Sequence, residues 1–134
     1  MQSGGAIYNN LPDDFKALIL PCVKSSGRGG QGIDAEPVES TNLLFPLSLE
    51  EYVGKSDYKY NVNSKEGLQY EYYAKGGDIS KRPIGDVAQT MYYTRSAAAF
   101  ENQLINYFWA IGSADSFSVY PSYTPLGVTF ACCI

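Results

Sequence analysis

Tyr92-Tyr93-Thr94-Arg95-Ser96 and, at the far end, Gly127-Val128-Thr129-Phe130-Ala131-Cys132-Cys133-Ile134 bracket the stretch whose reading decides the fold. Aromatic and β-branched residues fit a pleated, half-buried surface, so both flanks read as strands. From Ser96 to the end, Glu101 and Asp115 are the only two formal charges. The middle mixes Asn, Ser, Tyr, Phe, Ala and Asp with little periodicity. Binding loops use that mixture to set adaptable polar groups beside rigid aromatic anchors. Two fixed strands holding a display surface, with the rest of the chain as scaffold, is the resulting expectation.

Inside this stretch, Trp109 and Ile111, then Phe117 and Val119, lie two apart and are expected to face the core from strands. Ala110, Ser118 and Tyr120 then face outward, with Ser113, Asp115, Ser122 and Tyr123 on connecting turns. Phe100, Asn102, Asn106, Tyr107 and Phe108 precede the Trp109 strand and are expected on a loop. The candidate ligand-binding set is Phe100, Asn102, Asn106, Tyr107, Phe108, Ala110, Ser113, Asp115, Ser118, Tyr120 and Tyr123. Arg95, a lone cation in an aromatic strand, must find a carboxylate or carbonyl, because burying it unpaired is costly. Glu51 or Glu50 is the expected partner.

The composition fits recognition better than catalysis. Twelve Tyr stand against six Phe and one Trp, and Tyr is over-used at interfaces because it is amphipathic. The formal charge is −4 and the basic residues are scattered, so the basic stripe of a nucleic-acid binder is missing. No histidine is present, which removes His-based catalysis and the common zinc sites. No metal-ligand spacing or cofactor motif stands out, and no apolar run is long enough to cross a bilayer. The three cysteines include the adjacent pair Cys132 and Cys133. A bridge between neighbours is strained, so no disulfide framework is expected, and at least one of the pair reads as a small buried hydrophobe.

Taken from the start, residues 1–7 read as a flexible leader and residues 8–134 as one domain, long enough for a single core. A helix is expected within residues 6–20, with Asn10 as cap, Pro12 in the first turn, and Asp13 and Asp14 complementing the helix dipole. Phe15, Leu18 and Ile19 would share its buried face, and Pro21 would end it before a short strand at Pro21-Cys22-Val23-Lys24. Gly27-Arg28-Gly29-Gly30-Gln31-Gly32 satisfies G-x-G-x-x-G, but the acidic, proline-broken stretch that follows opens no helix to receive a pyrophosphate, so it reads as a loop. Leu43-Leu44-Phe45-Pro46-Leu47 reads as a short strand. Ser48-Leu49-Glu50-Glu51 matches a capping box and predicts a helix through Val53, ending near Gly54. Residues 55–90 are polar and Tyr-rich. Turns are expected at Gly76-Gly77 and Pro83-Ile84-Gly85, and one weak helical or loop segment around residues 66–75.

The order of these pieces resembles a known family. An amino-terminal Leu-Pro helix is followed by Leu44-Phe45-Pro46-Leu47-Ser48-Leu49-Glu50-Glu51. Then come Tyr92-Tyr93-Thr94-Arg95-Ser96 and the ending Gly127-Val128 … Ala131 … Ile134. This resembles the small C-type-lectin-like domains of Firmicutes and their phages. Those domains are related to the formylglycine-generating-enzyme branch of the C-type lectin fold, and they include the variable proteins of diversity-generating retroelements. Tyr92-Tyr93 stands where the family has a tryptophan pair, and Thr129-Phe130 where it often has Arg-Pro. The calcium motifs of sugar-binding lectins are missing, as is a counterpart to the paired thiols of the oxidase relatives.

The resemblance implies an α+β, C-type lectin-like fold with small antiparallel sheets, two helices and long irregular loops. It also implies a ligand-binding module whose carboxy-terminal face recognises a protein or glycan on a cell surface. No cofactor, metal, nucleic acid or membrane insertion is expected. Many residue types in the candidate set can arise by changing the first two bases of an Asn codon, as in a diversified region. The implied location is a phage tail tip or a bacterial surface or secreted protein, cytoplasmic before assembly. The alternatives are an oligomerisation or structural domain at the end of a larger protein, alone or as a homo-oligomer, and an oxidase-like enzyme.

Overall fold

The structure, a computed structural model, describes residues 5–28, 35–54, 65–79, 91–98, 107–112 and 117–134. Its architecture is α+β. Two single helical turns, α1 (Ala6–Asn9) and α2 (Asp13–Lys16), precede a hairpin of β1 (Cys22–Ser26) and β2 (Val38–Asn42). Helix α3 (Leu49–Val53) and the turn α4 (Glu71–Ala74) follow. A sheet then forms from β3 (Tyr92–Ala97), β4 (Tyr107–Ile111), β5 (Phe117–Pro121) and β6 (Gly127–Val128), in the order β5-β4-β3-β6. Strands β3, β4 and β5 run antiparallel, whereas β6 lies parallel to β3. The sheet is therefore mixed rather than purely antiparallel.

Helix α3 forms as its sequence dictates. Ser48 Oγ accepts from the Glu51 N–H at 3.1 Å, and Glu51 Oε2 accepts from the Ser48 N–H at 2.9 Å. Two of the helix's orphan donors are satisfied reciprocally. Gly54 closes the helix at φ 83°, a left-handed conformation that glycine adopts without steric cost. The helix is then fastened to β3 by backbone: Leu49 N–H donates to Ser96 Oγ at 2.7 Å, and Arg95 N–H to the Leu47 carbonyl at 3.1 Å. Leu49, Leu47, Phe45 and Tyr52 pack against Tyr92, Trp109 and Ile111 to make the core. Phe117 and Val119 pack against it from β5, as their alternation predicts.

The amino-terminal expectations need correction. Residues 6–20 form two isolated turns instead of one helix, and Ala6 and Ile7 belong to the first of them. Asn10 does not cap the second turn. It follows α1, and its side-chain amide turns back to the Ala6 carbonyl at 3.0 Å, while Pro12 takes the capping position of α2 without a side-chain bond. Of the predicted face, Ile19 is buried, whereas Phe15 and Leu18 are exposed. Isolated turns this short are marginal without packing, and neither α1 nor α2 buries a residue.

The second strand also lies elsewhere. β2 is Val38–Asn42, with Leu43-Leu44-Phe45 after it; Phe45 makes only an isolated bridge to Ala131. Val38–Asn42 is almost wholly exposed, so it carries no apolar pattern. Its pairing with β1, in the register Lys24↔Ser40, rests on main-chain bonds. The weak helical segment condenses to the single turn α4, with Gly76 at φ 84° in the turn after it. Residues 1–4, most of the glycine-rich loop and Pro83-Ile84-Gly85 lie outside the described residues.

A disulfide joins Cys22 to Cys133 across 111 residues of sequence, with Cα atoms 6.2 Å apart, and Cys132 is free. This overturns the expectation of no disulfide. The adjacent pair indeed does not bridge; the partner comes from β1. The ending is also not one closing strand. After β6 it continues as a strap touching the body at the Phe45↔Ala131 and Leu20↔Cys133 bridges.

Candidate functional site

Strand pleating sorts the sheet's side chains. Tyr92, Trp109 and Ile111 face the core, so the opposite face carries Tyr93, Phe108, Ala110, Ser118 and Tyr120. Phe108 sits directly opposite Tyr120, and Ala110 opposite both Tyr93 and Ser118. Tyr93 and Phe108 meet edge to face with ring centroids 6.4 Å apart. Beside them a hollow of about 550 Å³ is lined by Pro46, Tyr93, Arg95, Ala97, Phe108 and Val128, with Ser26, Gly27, Thr94 and Ser122 as further walls.

The Tyr93 hydroxyl reaches over the sheet edge. It donates to the Pro121 carbonyl at 2.7 Å, with the Thr124 carbonyl a second acceptor at 3.0 Å. Together with the Thr124 N–H to Pro121 bond at 2.9 Å, this closes the turn that carries Ser122 and Tyr123. Tyr123 projects from it at 73% exposure.

β3 is not a regular strand. Tyr93 pairs with Ala110 but Ala97 pairs with Phe108, so β3 carries a bulge across Thr94-Arg95-Ser96. A bulge re-aims side chains. Thr94 Oγ1 donates to the Trp109 carbonyl at 2.9 Å, and Arg95 is released toward the hairpin and α3. Its guanidinium donates to the carbonyls of Ser25 (3.1 Å), Pro46 (3.0 Å) and Glu66, and to Glu51 Oε2. The expected Arg95–Glu51 pair is present. Glu51 Oε1 also accepts from Lys24 Nζ at 2.9 Å, and that ammonium lies 4.3 Å from the Phe45 ring centre. Burial pushes the Glu51 carboxyl up, but the bonds from Arg95, Lys24 and Ser48 outweigh it and leave it below the usual carboxylate range. The cation that borders the hollow is thus committed to the framework.

Glu66 is the residue that sequence reasoning missed. It is fully buried; Oε1 accepts from the Gly27 N–H at 2.6 Å and Oε2 from the Ser96 hydroxyl, while its own N–H donates to Glu50 Oε2 at 2.9 Å. Burial raises its pKa, against the lowering from Ser96, Gly27 and Arg95. The two carboxylates therefore act in opposite senses on stability. Glu66, with its folded pKa raised, binds its proton more tightly folded than unfolded, so stability falls as pH climbs from the ordinary carboxylate range through the raised value. Glu51, with its folded pKa lowered, supplies stability above the ordinary range that is lost as pH falls through the lowered value. We predict a stability maximum near the ordinary carboxylate range. In Glu66→Gln the decline on the alkaline side should flatten, and urea denaturation at stepped pH checks this. An unchanged alkaline limb would show that Glu66 does not titrate with folding.

The candidate set divides accordingly. Phe100, Asn102, Asn106, Ser113 and Asp115 lie outside the described residues. Tyr107 and Phe108 lie on β4, not on a loop, and Tyr107 packs against the core, which removes it from the outer face. Ala110 has the predicted orientation but is 0% exposed. Phe108, Ser118 and Tyr120 are half-buried on the outer face with Tyr93, which the set had omitted, and Tyr123 is exposed on the turn after β5.

No helix among the described residues is long and apolar enough to cross a membrane. No family model matches the chain, and no solved structure matches it. The chain is similar to the ATP-dependent RNA helicase DBP2 of Encephalitozoon cuniculi (strain GB-M1), at 28% identity over 79 residues. That match takes in 58% of this chain and spans 16% of the helicase's length, an extent and identity that establish no family.

Proposed function

We propose that the chain is a ligand-binding display module of C-type lectin-like fold, similar to the variable proteins of diversity-generating retroelements. Its outer sheet face would recognise a protein or glycan on a cell surface. The observation that carries this is the fastening of the 121–124 turn by the Tyr93 hydroxyl, which holds Tyr123 in solvent next in sequence to Ser122, a wall of the hollow. Preorganised Tyr supplies contact area at low entropic cost. Arg95, the cation at this face among the described residues, is occupied by Glu51 and three carbonyls, which favours an uncharged ligand patch over a nucleic acid. The Cys22–Cys133 bridge favours an oxidising, extracellular setting.

Tyr123→Ala should weaken binding to the target cell by about ten-fold or more while leaving the unfolding midpoint unchanged, as expected for an exposed aromatic anchor. Flow cytometry with labelled protein reads the first and thermal denaturation the second. Full retention of cell binding in Tyr123→Ala and in Tyr120→Ala would reject this face as the contact surface. Sequencing the locus for a reverse transcriptase and a near-copy template repeat tests the retroelement assignment separately. A second reading, an assembly domain, draws on the exposed Leu18, Leu20 and Ile134 near the two chain ends. Light scattering that returns a monomer would dispose of it.

A further inference from the structure

A disulfide ties the carboxy-terminal strap to the start of β1, and the third cysteine is its neighbour in sequence. Cys22 opens β1 and is bonded to Cys133, and the next residue along the strap, half-buried Cys132, keeps its thiol. Ala131 and Cys133 of the strap pack against the core, and its hydrogen bonds among the described residues are short-range fastenings at a few points. Phe45 and Ala131 exchange two backbone bonds at 3.0 and 2.8 Å, Leu20 N–H donates to the Cys133 carbonyl at 2.8 Å, and the Tyr52 hydroxyl lies 3.3 Å from Thr129 Oγ1. Upstream the strap continues from the two-residue β6, whose Val128 pairs with Tyr93 and forms one wall of the hollow.

We propose that the strap is a disulfide-exchange switch with two bonded states, Cys22–Cys133 and Cys22–Cys132, and that passing between them withdraws Val128 from the hollow. The step is internally balanced. Cys132 loses its proton, and its thiolate attacks Cys22 Sγ. The Cys22–Cys133 bond breaks, and Cys133 leaves as the thiolate and takes up a proton, so no oxidant or reductant is consumed. Neighbouring Cα atoms are about 3.8 Å apart and their side chains point to opposite faces of an extended chain. Bringing Cys132 to the place of Cys133 therefore requires the strap to advance by one residue and turn over. The slack must come from β6, the shortest strand of the sheet, so Val128 slides off Tyr93. At the other end Phe130 would take the place of Ala131 opposite the buried Phe45, a larger side chain at a close-packed position. The Cys133 state is accordingly the ground state and the Cys132 state the minor one. The exchange stands independently of the recognition reading; only its effect on ligand binding rests on that reading.

The test maps disulfides in the full chain after equilibration in mixed reduced and oxidised glutathione at mildly alkaline pH. Free thiols are alkylated, a non-reduced chymotryptic digest is made, and fragment ions assign the label to residue 132 or 133. In the wild type, a minor Cys22–Cys132 species beside the major Cys22–Cys133 species is expected. In Cys133→Ser, a bridge should form from Cys22 to Cys132, with loss of both alkylatable thiols and a mass lower by about 2 Da than the reduced chain. The Val128 methyl groups should show a second set of NMR signals in the wild type that is lost in Cys132→Ser. Cys132 labelled quantitatively in the wild type, with no Cys22–Cys132 fragment, would overturn the exchange even if Cys133→Ser fails to fold. A second Val128 signal that persists in Cys132→Ser would overturn its coupling to the hollow.

Discussion

Arg95→Leu is expected to destabilise the fold by about 3–5 kcal/mol, because removing one partner of a buried ion pair strands the other charge. The arginine side chain is 8% exposed, and it joins four segments: the end of β1 through Ser25, the approach to α3 through Pro46, α3 itself through Glu51, and the 65–70 segment through Glu66. Its loss would leave Glu51 with Lys24 as its remaining cation and three carbonyls without their donor. In a chain of this size that loss corresponds to a fall in Tm on the order of 10–20 °C. The double variant Arg95→Leu/Glu51→Gln should cost less than the sum of the two single variants, since the stranded charge is gone. Urea melts of the four proteins measure both quantities. Additive costs would mean that the pair contributes nothing beyond its separate contacts.

Opening the Cys22–Cys133 bridge should cost about 2–4 kcal/mol, the typical range for a disulfide. The closed loop spans 111 residues, nearly the whole chain, so in the chain-entropy picture its removal frees the unfolded ensemble strongly. In the folded state the bridge adds a covalent fastening beside the Leu20 and Phe45 bonds to the strap. Cys22→Ser and dithiothreitol treatment should lower the denaturation midpoint by similar amounts, whereas Cys132→Ser should leave it nearly unchanged. A midpoint indifferent to reductant would show that the strap is held by its other contacts alone.

How far the fold could be read from sequence follows from the range of the forces involved. The α3 cap was legible because its donors and acceptors lie within four consecutive residues, Ser48 to Glu51. The Arg95–Glu51 pair was legible because a cation in an aromatic strand restricts its own partners. Alternation correctly placed Trp109, Ile111, Phe117 and Val119 against the core. The failures have a different character. β2 is held by backbone bonds on an exposed hairpin and leaves no hydrophobic trace. The β3 bulge falls where Leu47 and Leu49 bond to Arg95 and Ser96, tertiary contacts absent from the local pattern. Glu66 lies between Lys65 and Gly67 in a polar stretch where its type predicts exposure; only the assembled fold encloses it. Cys22 pairs with a residue at the other end of the chain, and spacing carries no information about that choice. In the candidate set, pleat logic placed Ser118 and Tyr120 on the outer face, and turn logic placed Tyr123 on a turn. Tyr107 packs against the core and Ala110 is fully buried, which the local pattern did not show.

Tyr93 fastens its turn through two main-chain oxygens, those of Pro121 and Thr124, and through no side chain of the turn. The fastening is therefore blind to what Ser122 and Tyr123 are. Substitutions at those two positions would leave both fastening bonds in place, so the course of the loop is set by the sheet and not by the side chains it carries.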